Sequence, residues 1–194
     1  MAAYGAAKVP VVKLPYEEFD LSAVETYPLK SRRSKASVGD FGRAYAKGAG
    51  LAGWLESLPN ILAAADFKAI VRAILDARAQ DRAVLWGLGA HVVKTGLSPI
   101  IIDLMERGFV SALAMNGAGV IHDFEIALAG ATSEEVDEAL GGGAFGMAEE
   151  TGRLLNRAIN DGVAAGLGIG QAVGRYLAAA HPQYARHSIA AAAR

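Results

Sequence analysis

The chain has 194 residues, enough for one domain or for a domain with an N-terminal extension. With 53% hydrophobic and 20% charged residues it can bury a sizeable core, and a formal net charge of -1 gives no global reason to expect a nucleic acid or a membrane as partner. There is no cysteine, which removes disulfides, thiolate nucleophiles and cysteine-based zinc sites together and suits a reducing compartment. Met1 to Lys13 lacks the basic start and apolar core of a secretory signal, and no uncharged apolar run approaches the roughly 18–20 residues of a membrane helix. The expectation is a soluble, cytoplasmic protein.

Residues 1–53 read as an irregular N-terminal arm. Pro10, Pro15 and Pro28 break any long helix, and glycines from Gly39 to Gly53 punctuate the rest, with room only for a short helix around Phe19–Val24. This arm holds eight Lys/Arg against five Asp/Glu, with Lys30, Arg32, Arg33, Lys35, Arg43 and Lys47 clustered. Such a run is ordinarily a solvated arm, and the other reading is contact with an acidic neighbour such as another subunit.

Residues 54–194 read as an α/β domain. Asp66 is placed to cap a helix with Ile70, Ile74 and Ala77 on one face. Ala83 to Gly89 is short, apolar and closed by glycines, as a strand buried on both faces would be. Ser98-Pro99 then signals a helix start, with Ser as N-cap and Pro at the first helical position, running to Gly108. Phe109 to Met115 is a second buried strand, ending at Asn116-Gly117-Ala118-Gly119. Strand, helix and strand make a βαβ unit with two parallel strands.

Downstream the pattern is helical. Thr132-Ser133-Glu134-Glu135 has the form of a capping box. A long helix is expected from Ala144 to about Ala165, with Met147, Thr151, Leu154, Leu155, Ala158 and Ile159 along its apolar side. Another is expected over Gly170–Ala180, and Pro182 separates it from a final one over Tyr184–Arg194. Because a further strand should follow in an α/β domain, the domain is expected to be incomplete at its C-terminus.

Ligands of open parallel sheets bind beyond the carboxyl ends of the strands. Two such ends are visible, Gly89 to Gly96 and Asn116 to Asp123. Glycines there would let a backbone approach a phosphate, although turns alone also favour them, and Gly87-x-Gly89 lacks the third glycine of the usual dinucleotide fingerprint. His122-Asp123-x-Glu125 is the densest polar cluster. It reads as an acid/base pair, or as Asp123 capping a helix that begins there; metal binding is not expected. Lys94 is a nucleophile or an ordinary partner for phosphate or carboxylate. Glu149 and Glu150 would hold a cation or pair with Arg153 on a helix surface, the latter being the ordinary reading.

In these same segments the chain resembles the deoxyhypusine synthase family. The residues that carry the likeness are Gly89-Ala90-His91-Val92-Val93-Lys94-Thr95-Gly96, the helix to Arg107, Val110 through Asn116-Gly117-Ala118-Gly119, and His122-Asp123, with Gly143 to Ile159 as a further match. The resemblance implies a Rossmann-like fold with a parallel sheet flanked by helices, a homotetramer, and NAD as cofactor. It also implies aminobutyl transfer from the polyamine spermidine through an imine on an enzyme lysine to a protein lysine acceptor. By position, Ala90, His91, Val92, Val93, Lys94, Asn116, Gly117 and Ala118 would line the dinucleotide, and His122 and Asp123 would meet the polyamine or the nicotinamide ribose. The first turn reads Gly-Ala-His-Val where the family has Thr-Ser-Asn-Leu, and the second begins with Asn116 where the family has Thr. No lysine follows Lys94, so the family's catalytic lysine has no counterpart and the catalytic residue is unassigned. The alternatives are an inactive assembling or dinucleotide-binding subunit and another NAD-dependent amine or amino-acid enzyme.

Overall fold

A computed structural model describes residues 16, 17 and 19–193. The readings made on Met1–Lys13, Pro10, Pro15 and Arg194 lie outside them. Among the described residues, no helix is long and apolar enough to cross a membrane.

The chain divides into two units, Met1–Ile61 and Leu62–Arg194, so the division falls later than the expected one after Gly53. In the first unit the segment Phe19–Val24, where the sequence leaves room for a short helix, forms a turn. Asp20 accepts from the Ser22 N–H at 2.9 Å and from its hydroxyl at 3.0 Å, and that local bonding competes with helix formation. Helix α1 (Gly50–Ser57) was not anticipated. The segment before it folds back along its end, where Arg43 N–H donates to the Ser57 carbonyl at 2.8 Å.

The second unit is mixed α/β and rich in helix. It begins with α2 (Leu62–Ala79), which starts before Asp66, so that residue lies inside the helix instead of capping it. Strand β1 (Leu85–Leu88) is followed by α3 (Ala90–Lys94), α4 (Ser98–Glu106) and strand β2 (Ala112–Met115). The strands pair in parallel, Leu85 opposite Ala112 and Leu88 opposite Met115, and form a two-stranded sheet. Burial on both faces is not observed. Trp86, Leu88, Leu113 and Met115 face the core, while Leu85 is 77% exposed on the other face. Side chains alternate across a strand, and among the described residues nothing covers this second face.

Helix α5 (Gly117–Ala129) begins directly after β2, six residues before the start read at Asp123, because the Asn116 side chain caps it by accepting from Gly119 N–H at 2.9 Å. After it come α6 (Val136–Leu140), α7 (Glu149–Ala164), α8 (Ile169–Ala180) and α9 (Ile189–Ala192), the last preceded by a 3-10 turn at Ala185–His187. The expected capping box fails. Ser133 has φ of +70°, α6 starts only after Glu135, and no side chain caps it. Met147 lies outside α7, but Leu155 and Ala158 are buried as expected.

Two apolar clusters form the core. One joins Phe124 and Ala127 of α5 to Leu155 of α7, Val173 and Leu177 of α8 and Ala190 of α9. The other sets Val93 and Ile101 against Ile189 under the inner face of the strands. The short α9 therefore feeds one residue into each cluster. Helices α7 and α8 approach closely at Gly162, where a Cβ would overlap the Ala172 side chain.

Candidate functional site

Helix α5 divides the candidate residues by its period. Positions 118, 122 and 125 recur on one face, whereas Gly119, Asp123 and Ala127, four residues apart, form the buried face. His122 and Glu125 thereby look into a cleft of about 830 Å³ between α5, α7 and the segment joining α6 to α7. The cleft opens at the carboxyl end of β2. Its walls are largely apolar, with Met115, Ile121, Phe145, Leu155 and Ile159 among them. That size and mixture suit a small-molecule ligand.

The polar groups of the cleft form one chain. Thr132 donates to Glu125 Oε2 at 2.5 Å, and Thr151 of α7 donates to Glu125 Oε1 at 3.1 Å. A hydroxyl has a single proton, so Thr132, having given its own to Glu125, meets His122 Nδ1 at 2.7 Å as an acceptor. The ring proton therefore sits on Nδ1. His122 Nε2 makes no hydrogen bond among the described residues and is the nitrogen left to act on a ligand. His122 Nδ1 and Glu125 Oε2 are also 3.6 Å apart. The arrangement is an imidazole oriented by a hydroxyl and backed by a carboxylate, able to take up a proton at Nε2.

Beside it lies the first turn of α5. Asn116 occupies Gly119 N–H, and the N–H groups of Gly117 and Ala118 make no bond among the described residues. Gly117 and Ala118 border the cleft. A Cβ built on Gly89 or Gly117 would meet nothing within 4 Å, so space stands open at both strand ends. These features leave two backbone donors open to an anionic group at the α5 N-terminus.

The residues read from the first strand end do not join this site. Ala90, His91, Val92, Val93 and Lys94 form α3, and none of them borders the cleft. Val93 is in the core, while His91 and Lys94 are exposed. Asp123 does not face the cleft either. It is fully buried, and its carboxylate accepts from Ser188 Oγ at 2.6 Å, Ile189 N–H at 2.7 Å and Ala190 N–H at 3.0 Å. Burial pushes its pKa above the ordinary carboxylate value, against the opposing pull of those three bonds. Asp123 thus caps a helix, as one reading of the sequence allowed, but the helix is α9. Glu149 pairs with Arg153 at 3.1 Å on an exposed surface, the ordinary reading.

Sequence reasoning missed Thr132 and Thr151. The i, i+3 spacing of His122 and Glu125 was a visible signal for a shared face, but nothing local tied either threonine to them. Among the described residues no group of three or more His, Asp or Glu is placed to hold a metal ion. No protein-family model, curated protein or solved structure matches the chain.

Proposed function

We propose that the cleft is the ligand site of an NAD-dependent enzyme that acts on a polyamine such as spermidine, in the manner of a deoxyhypusine synthase. The observation that carries this reading is the His122–Thr132–Glu125–Thr151 chain beside the open first turn of α5. Glu125 supplies a negative charge for a cationic amine, and His122 Nε2 supplies a proton acceptor as that amine is oxidised. Gly117 and Ala118 N–H groups would receive a phosphate of NAD, which supplies hydride acceptance when bound. The Rossmann-like sheet, the homotetramer, the aminobutyl transfer and the protein lysine acceptor belong to the same proposal.

A second reading is a dinucleotide- or amine-binding subunit without turnover. It is favoured by the cleft lining, which includes no lysine to carry a transferred group.

The test follows NADH absorbance when the protein is mixed with NAD and spermidine. NADH formation that His122→Ala abolishes supports the enzyme. Saturable NAD binding without NADH supports the second reading, and failure to bind either compound removes both.

A further inference from the structure

The segment that joins α5 to α7 and carries α6 forms one wall of the cleft, through Ser133, Glu134, Phe145 and Gly146. It is built differently from the other walls. No residue from 133 to 147 is buried, and none belongs to either core cluster. Its apolar side chains stand in solvent, with Leu140 61% and Met147 74% exposed. Among the described residues, the hydrogen bonds of this segment all close within it. Ala139 N–H donates to the Glu135 carbonyl, Gly143 to Leu140, Ala144 to Ala139 and Met147 to Ala144. Gly146 N–H donates to Glu134 Oε2 at 3.0 Å and so ties the two ends together. Residues 134–146 are a loop closed on itself, able to turn as one body without breaking any of these bonds.

Both ends of that body have the backbone of a pivot. Ser133 has φ of +70° and Gly146 has φ of +78°. The left-handed region suits glycine and strains a residue with a side chain, so the entry at Ser133 is held under strain. Outside the pivots the chain is fixed. Thr132 is bonded to Glu125 and His122, and Gly152 N–H bonds to the Ala148 carbonyl at the start of α7. The rest of the cleft wall is largely apolar, with Leu155, Ile159 and Ile169. Phe145 borders the same cleft yet stays 45% exposed. An inward turn of the loop would take Phe145 out of water and shut the cleft from solvent, a motion that apolar burial favours.

We infer that residues 134–146 are a lid that swings on Ser133 and Gly146 and closes over the cleft. The inference rests on the cleft as a ligand site but not on amine or NAD chemistry there. Thr132 immediately precedes the entry pivot and holds Glu125 and His122, so the lid and the polar chain of the cleft share a hinge.

The test needs no ligand, so it fails or succeeds separately from the amine reading. The chain has no cysteine, which leaves introduced thiols as the only labelling sites. Spin labels at Asp137→Cys on the lid and Asp103→Cys on α4 read the lid's position by electron–electron distance measurement, with Arg157→Cys on α7 and Asp103→Cys as the reference pair. The reference pair should give one narrow distance, and the lid pair two distances or a clearly broader distribution. A lid distribution as narrow as the reference would overturn the inference. Cover over the cleft is read from the alkylation rate of Ile159→Cys. Replacing residues 134–146 by a short Gly-Ser linker should speed that reaction about tenfold, as for an open form populated on the order of 10%. The melting temperature should change little, because the loop carries no core residue. An unchanged alkylation rate, or loss of cooperative unfolding in the shortened protein, would overturn the inference as well.

Discussion

Ser188 Oγ donates to Asp123 at 2.6 Å across 65 residues of chain, and the same carboxylate takes the first two N–H groups of α9. Ser188 in turn accepts from Ala191 N–H at 3.1 Å, so the two side chains together satisfy the start of a four-residue helix too short to stand alone. That helix places Ile189 and Ala190 in the two core clusters. The clasp therefore holds the C-terminal segment onto α5. Asp123→Ala, which strands three buried donors, should destabilise by about 3–5 kcal/mol, and Ser188→Ala by about 1–2 kcal/mol. Urea unfolding of the two variants measures both.

The pH dependence of this clasp has a definite sign. Burial raises the Asp123 pKa in the folded state above its ordinary value of 3.8. The stability contributed by its protonation is therefore fully present below pH 3.8, and is lost as pH rises through the folded value. Asp123→Asn cannot titrate there. The stability of the natural protein relative to Asp123→Asn should fall across that window, read from urea midpoints at a series of pH values. A relative stability that rises with pH would mean that the three hydrogen bonds outweigh burial.

Helices α7 and α8 depend on the absence of a side chain at Gly162. Replacing glycine by alanine inside a helix ordinarily gains about 1 kcal/mol. Here the new methyl would overlap Ala172, and Gly162→Ala should instead destabilise by about 1–3 kcal/mol as the helices are forced apart. Thermal unfolding followed by circular dichroism distinguishes the two signs.

Helix α2 is tied to the rest of its unit near its C-terminal end. Arg78 Nε donates to the Arg107 carbonyl at 3.0 Å, and its guanidinium lies 4.6 Å from the centre of the Phe109 ring. No residue of α2 is buried. Arg78→Ala should therefore raise amide hydrogen exchange along α2 while leaving exchange in α5 and α8 unchanged. Uniform acceleration across the unit would show that α2 is part of the cooperative core.

Local chemistry carried much of this fold. Glycine-bounded apolar runs gave two parallel strands, and helical periodicity gave the buried Leu155 and Ala158 of α7. What the sequence concealed depends on distant partners. Asp123 looks like an N-cap because it is one, but its helix begins 66 residues later, and no local pattern identifies it. The segment Thr132–Glu135 has the spelling of a capping box. Instead, Thr132 bonds to Glu125, and Glu134 accepts from Gly146 N–H at 3.0 Å. The apolar composition of the strands did not reveal their exposed face, since composition cannot say what lies over it. Of the site, Gly117, Ala118 and His122 were legible from their place at the end of β2. The pairing of Glu125 with Thr151 was not, because it needs the return of α7.

The most direct measurement is a calorimetric titration of spermidine into the natural protein and into Glu125→Gln. The substitution keeps the size of the side chain, removes its charge and turns one of its two acceptor oxygens into a donor, to which the hydroxyl of Thr132 or Thr151 can turn a lone pair. If Glu125 receives the amine, the natural protein binds saturably and Glu125→Gln weakens binding by about tenfold or more, with its urea midpoint shifted little. Equal affinity in the two proteins, or no binding to either, would contradict the proposed amine site.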